Sequence, residues 1–278
     1  MKSLFDDVSI QCSKAITNHY STSFSIGIKL LSPEIRPAIY SIYGFVRLAD
    51  EIVDSFYDYD SKELLEELRA STQQALDKRI STNPVLHAFQ ETVHKYHISR
   101  EHINTFLDSM EMDLHKQTYN KAGYEQYIVG SAEVVGLMCL KVFCLGDQKL
   151  NDELKEYAMR LGAAFQKINF LRDMKADYEV LGRLYFPGIN IAEFDETVKV
   201  QIEADILLDF QQGLIGIKKL PQRARFGVYV AYYYYRSLFN KIKGVKAKSI
   251  MHERIRISNP EKVGLLCYSY MRYQMNAL

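Results

Sequence analysis

The sequence predicts an all-α fold, read as one domain over residues 1–278. Three observations predict it. Only six prolines and fourteen glycines interrupt 278 residues. Apolar residues recur with a period near 3.6 rather than alternating. Prolines stand where helices would start, at Pro33, Pro37, Pro84, Pro221 and Pro260. In chain order the pattern predicts helices near 3–19, 34–57, 61–78, 84–96, 100–117, 123–145, 151–178, 197–217, 222–244 and 260–276. Connections are short except about 179–196, which contains RLYFPG. No repeat or low-complexity tract interrupts the series.

Composition narrows the function classes. Hydrophobic residues make up 47% of the chain, enough for a large core. A net charge of +1 gives no bulk field to recruit nucleic acid or an anionic membrane, so an anionic ligand must be held by local charge. Cys12, Cys139, Cys144 and Cys267 are scattered without a C-x-x-C, which predicts a reducing cytoplasm. MKSLFDDVSIQ has acids where a signal peptide needs an apolar run. The most apolar stretch, 134–145, is short and broken by Lys141, so no membrane span is expected. The expected site of action is the cytoplasm, with peripheral membrane contact at most.

Two polar rows stand on otherwise apolar helices. In FQKINFLRDMKADY (165–178), Gln166, Asn169, Asp173 and Asp177 lie at offsets 0, 3, 7 and 11. In YGFVRLADEIVD (43–54), Tyr43, Arg47, Asp50 and Asp54 lie at offsets 0, 4, 7 and 11. Both sets return to one helix face, and each spans roughly 16 Å at a 1.5 Å rise per residue. One D-x-x-x-D on a helix usually marks a solvated face. Here Ile168, Phe170 and Leu171 flank one row, and Phe45, Leu48, Ala49, Ile52 and Val53 flank the other. Buried carboxylates need a compensating cation. Oxygen donors without cysteine or histidine favour Mg²⁺, with Mn²⁺ as a substitute, over zinc. Arg47 and Arg172 beside them suit phosphate oxygens. The two rows together read as a metal–diphosphate site.

With these motifs on the page, the sequence resembles the squalene/phytoene synthase family, head-to-head prenyl transferases, over nearly its whole length. S-x-S-F matches Ser21, Ser23 and Phe24. Y-x-F-x-R-x-x-D-[DE]-x-x-D matches Tyr43, Phe45, Arg47, Asp50, Glu51 and Asp54. M-x-M-D-L matches 110–114, and Q-x-x-N-x-x-R-D-x-x-x-D matches Gln166, Asn169, Arg172, Asp173 and Asp177. R-x-Y-x-P matches Arg183, Tyr185 and Pro187. Tyr235–Arg236 and the H-E-R of His252, Glu253 and Arg254 complete the series. The chain departs from the family at SAEVVG (131–136), where Glu133 replaces a glycine, and in a connection between Asp177 and Tyr185 that is one residue longer.

The resemblance implies a helical isoprenoid-synthase bundle around a central cavity. It implies condensation of two prenyl diphosphates through a cyclopropylcarbinyl diphosphate, with two geranylgeranyl diphosphates giving phytoene as the leading expectation. Farnesyl diphosphate giving dehydrosqualene, or squalene with NADPH, is the alternative. It implies metal ligation by Asp50, Glu51, Asp54, Asn169, Asp173 and Asp177, with Tyr43 and Arg47 also catalytic. It implies substrate contacts from Ser21, Ser23, Phe24, Tyr127, Gln166, Arg172, Tyr185, Tyr235 and Arg254. Gly130, Gly136, Ala158 and Gly162 either open room for prenyl tails or let helices pack closely. A non-catalytic subunit that keeps the fold is the competing class; such proteins lose motif acids, and this chain keeps both rows. Glu91 and His94 have di-iron E-x-x-H spacing, but a second such motif is missing. His94, His97 and His102 are read as surface residues, and only Tyr235 of the run Tyr232–Tyr235 is assigned to a pocket.

Overall fold

A computed structural model describes residues 2–56, 58–115, 118–189, 194–251 and 254–275. It is helical throughout, with no named strand among the described residues and one isolated parallel bridge, Thr118 to Leu184. The helices are α1 (Lys2–Tyr20), α2 (Thr22–Lys29), α3 (Arg36–Ser55), α4 (Ser61–Lys78), α5 (Pro84–Tyr96), α6 (Arg100–Met112), α7 (Lys121–Ile128), α8 (Val134–Cys144), α9 (Gln148–Ala176), α10 (Glu196–Lys219), α11 (Gln222–Lys243), α12 (Ala247–Ile250) and α13 (Asn259–Gln274). A π turn, Val129–Glu133, joins α7 to α8, and another, Asp177–Leu181, continues α9.

Local chemistry explains the starts. Side chains of Ser21, Asp60, Asn83, Ser99, Asn120, Asp147 and Asp195 accept from backbone N–H groups of the turn that follows, satisfying otherwise unpaired donors. Ser258 and Glu261 form a reciprocal capping box on α13. The eight-residue α2 and four-residue α12 went unread in the sequence, because each is too short to establish a period. The predicted helix over 100–117 stops at Met112, where the chain turns to place Asp113.

The centre is built from α3 and α9. α9 packs along α10 and crosses α8 and its π turn, while α3 is held by α1 and α5. The crossings are close. A Cβ on Gly162 would lie 2.6 Å from the Ala132 carbonyl oxygen, and one on Gly136 would lie 2.8 Å from that of Ala158. Small residues therefore let the backbones meet, yet Gly136, Ala158 and Gly162 also line the central cavity, so both expected roles apply. Gly130 serves packing alone, against Ser109 and Thr105.

One membrane expectation needs correction. The continuous helix Lys121–Cys144 is long and apolar enough to cross a membrane. Its apolar stretch is 61% buried against neighbouring helices, so core packing accounts for it. Two histidines also differ from a surface reading. His94 Nε2 donates to the Leu76 carbonyl at 2.9 Å, and His102 is half-buried. Glu91 pairs with Lys2 at 2.7 Å and lies 3.6 Å from His87 Nε2.

Candidate active site

The two polar rows meet. Tyr43, Arg47, Asp50 and Asp54 on α3, and Gln166, Asn169, Asp173 and Asp177 at the end of α9, line one cavity of about 570 Å³. Ser21, Phe24, Tyr127, Arg172, Tyr185, Tyr235 and Arg254 line it too. Two residues implied by the family pattern do not. Ser23 lies outside the lining, because α2 turns it away from Ser21 and Phe24. Glu51 follows Asp50 by about 100° around α3 and pairs with Arg47, so it holds an arginine rather than facing the cavity. His252 and Glu253 of H-E-R lie outside the described residues.

The charged end is crowded. Burial first, then repulsion from Asp54, pushes the Asp50 carboxyl up to about 7. Burial, then repulsion from Asp173 and Asp54, pushes Asp177 up to about 8. Asp54 acts on Asp177 from the opposite row, so the rows face each other closely enough to repel. Arginines gather around them. Arg172 Nη2 donates to Asp173 Oδ2 at 2.5 Å, Arg254 Nε lies 2.6 Å from Asp173 Oδ1, and Arg183 Nη1 donates to Asp54 Oδ1 at 2.7 Å. The Arg47 guanidinium lies 4.3 Å over the Tyr20 ring, with its Nε buried and no acceptor among the described residues. The Tyr235 hydroxyl lies 3.3 Å from Asn169 Oδ1.

Two aromatic walls follow. In the first, Phe24 sits 5.9 Å from Tyr43 and 5.6 Å from Tyr235, which stacks on Phe165 at 4.1 Å. In the second, Tyr185 stacks on Phe170 at 4.1 Å and lies 4.9 Å from Tyr127. Beyond them the lining is apolar, with Ile39, Ile42, Phe143, Leu154, Leu161 and Ile217. Of the four consecutive tyrosines only Tyr235 reaches the cavity; Tyr234 donates to the Lys262 carbonyl at 2.8 Å, and Tyr232 meets the Phe210 ring edge at 5.3 Å.

Tyr20, Asp113, Phe165 and Arg183 are among the lining residues that carried no sequence-level assignment. Asp113 and Arg183 stood inside quoted motifs, so a signal existed, but their partners lie on distant segments. Arg183 is 4% exposed and binds the Val53 carbonyl at 2.8 Å and the Asp113 carbonyl at 2.6 Å. It thereby joins the ends of α3 and α6. Glu133 is absent from the lining; burial raises its carboxyl and nearby Arg160 partly offsets this.

Comparison with known proteins agrees with this geometry. A profile of the squalene/phytoene synthase family matches residues 17–261. The 4,4'-diapophytoene synthase of Staphylococcus haemolyticus is 29% identical over 196 residues, 70% of this chain and 67% of that one. The chloroplastic phytoene synthase of Narcissus pseudonarcissus is 26% identical over 292 residues, 96% of this chain and 67% of that one. The crystal structure of a dehydrosqualene synthase in complex with ligand superposes with a TM-score of 0.81 at 18% identity, covering 97% of this chain and 98% of that one. The fold is thus the all-α fold of those synthases, and the chain belongs to the squalene/phytoene synthase family, whose members are prenyltransferases.

Proposed function

We propose that the chain, acting as one catalytic unit, joins two prenyl diphosphates head to head with Mg²⁺. Two geranylgeranyl diphosphates give phytoene and two diphosphates by way of a cyclopropylcarbinyl diphosphate. The observation that carries this reading is the pair of acidic rows facing each other at the charged end of a cavity whose depth is apolar. Asp50, Asp54, Asp173 and Asp177, with the Asn169 carboxamide oxygen, form an oxygen donor set that fits Mg²⁺ or Mn²⁺. The raised Asp50 and Asp177 carboxyls fit it as well, since a divalent cation relieves both burial and repulsion. When bound, Mg²⁺ supplies charge neutralisation at a departing diphosphate.

The protein's own groups do the rest. Arg47, Arg172 and Arg254 flank the rows and suit diphosphate oxygens, and Arg47 keeps a buried Nε–H for an acceptor. Ser21 caps α2 and hydrogen-bonds to Tyr43, holding both at the cavity. The two aromatic walls present ring faces to a carbocation, each contact worth roughly 0.5–2 kcal/mol. The apolar depth takes the prenyl tails and excludes water. We place the reaction in the cytoplasm, with peripheral membrane contact where the apolar tails are exchanged.

A second reading is favoured by the 29% identity to the staphylococcal 4,4'-diapophytoene synthase: farnesyl diphosphate as substrate, with dehydrosqualene, or squalene where NADPH is used, as product. Product analysis decides. Purified protein with Mg²⁺ is given farnesyl or geranylgeranyl diphosphate, with and without NADPH, and the hydrocarbon is identified by mass. Phytoene supports the first reading. A product from farnesyl diphosphate supports the second, and its NADPH dependence separates squalene from dehydrosqualene. Neither hydrocarbon nor diphosphate release from either substrate overturns both in favour of a non-catalytic subunit.

A further inference from the structure

Three phenol hydroxyls converge on one buried carboxylate. Asp113, just past the end of α6, is 5% exposed. It accepts from Tyr127 Oη at 2.5 Å, from Tyr185 Oη at 3.0 Å and from Tyr119 Oη at 3.4 Å. Arg183 closes the remaining side, its Nε 3.7 Å from Asp113 Oδ1. Asp113, Tyr127 and Tyr185 line the cavity. The rings hold one another, with Tyr119 stacked on Tyr185 at 5.4 Å and lying 5.4 Å from Tyr127.

A carboxylate only accepts, and a phenol has one proton to donate. Tyr127 and Tyr185 both direct that proton to Asp113. With those protons committed to Asp113, neither hydroxyl keeps a free O–H for the cavity that both residues line. A wall of held rings with no free O–H is favourable to a carbocation, because dipoles already fixed cost no reorganisation when charge develops. It also offers no proton to a diphosphate, which leaves that group to the arginines and acidic rows.

We propose that Asp113 is a positioning residue that holds the Tyr127 and Tyr185 hydroxyls by their protons and, through Arg183, ties this wall to Asp54 of the first acidic row. The inference rests on the prenyl-transfer reading and deepens it: the wall selects the fate of the cation rather than the binding of the diphosphate. A purely structural brace predicts something else. Weakening a brace lowers the melting temperature and leaves the product ratio alone.

The test is Asp113→Asn in the full chain. A carboxamide N–H₂ donates to a phenol oxygen and leaves at least one O–H free for the cavity. With Mg²⁺ and whichever prenyl diphosphate the wild type uses, KM and the affinity for inorganic diphosphate are expected to stay within about threefold. Hydrocarbon kcat is expected to fall on the order of a hundredfold, the lower end of the scale for losing an oriented dipole at developing charge. Cyclopropylcarbinyl diphosphate and prenyl alcohols rise in its place. A variant with the wild-type product ratio, whether its kcat is kept or lost together with melting temperature, overturns the inference. Should Asp113→Asn fail to fold, the Tyr127→Phe/Tyr185→Phe double variant removes the two dipoles with Asp113 in place. The same product shift supports the inference and a wild-type ratio overturns it. An inactive wild type overturns the prenyl reading and this inference together, whereas an unshifted variant beside an active wild type removes the role of Asp113 alone.

Discussion

Helix α9 carries charge on two faces, and the faces treat it in opposite ways. On the face toward α10, Lys167 is 6% exposed, yet its Nζ lies 2.5 Å from Asp205 Oδ2 and 2.7 Å from Asp209 Oδ2. Arg160 adds a further contact to Asp209 at 3.2 Å. On the cavity face, whose polar row begins one residue earlier at Gln166, Asp173 and Asp177 look across at Asp50 and Asp54, and like charges repel. The difference teaches how to tell structural charge from functional charge. A buried ion costs several kcal/mol unless its partner is built in. The α10 face builds its partners in. The cavity face pairs Asp173 with Arg172 and Arg254 but leaves Asp177 raised, opposite a raised Asp50, which suits a cation that arrives with the substrate.

The largest expected effect tests the paired face. Lys167→Met strips Asp209, whose side chain is 3% exposed, of its buried cation. A loss of about 3–5 kcal/mol in denaturant unfolding is expected, with activity per folded molecule unchanged. Loss of activity without loss of stability would move Lys167 into the site.

Next comes the cavity face. Asp173→Asn is expected to lower hydrocarbon formation by about a hundredfold or more, near 2.7 kcal/mol of barrier, with the circular dichroism spectrum unchanged. Near-normal turnover would sink the metal assignment. Its counterpart on α3, Asp54→Ala, is expected to fold and lose its Mg²⁺ response. Failure to fold would make the first row structural, because Asp54 also anchors Arg183.

A smaller effect sharpens the contrast through pH. Asp50 at about 7 and Asp177 at about 8 both lie above the ordinary aspartate value of 3.8. The folded protein then holds protons that the unfolded chain has lost. Their contribution to stability is present below about pH 4 and is lost as pH rises through 7 to 8. Without divalent cation, the melting temperature is expected to drop across that window. Mg²⁺ with inorganic diphosphate is expected to flatten the drop. An identical slope with and without them would show that the carboxylates do not take the cation.

The smallest effect is a control remote from both faces. Asn83 Oδ1 accepts from Val85 N at 3.0 Å and Leu86 N at 3.3 Å at the start of α5. Asn83→Ala is expected to cost about 1 kcal/mol and to leave Mg²⁺ dependence and product untouched. A change in product would mean that α5 reaches the site through α3.

Most helices were legible because their apolar stripes are long, and a few starts, those of α3, α5, α11 and α13, carry prolines. The two acidic rows were legible for the same reason, since helical spacing alone puts Asp50 with Asp54 and Asp173 with Asp177 on common faces. Legibility ended where one turn of helix mattered. Ser23 and Glu51 belong to the same motifs as Ser21 and Asp50, yet helix rotation sends them elsewhere. It ended again where contacts are distant along the chain. Arg183 meets Asp54 across 129 residues and the Asp113 carbonyl across 70.

The sequence by itself determined the helices, the spacing of the carboxylates and the oxygen-only donor chemistry. These are properties of local backbone geometry and residue type. Only the tertiary structure decided that the rows oppose each other, that Arg183 locks the ends of α3 and α6, and that three tyrosines spend their protons on Asp113. Those relations depend on how close-packed helices cross, which small residues such as Gly136 and Gly162 permit but no single helix specifies.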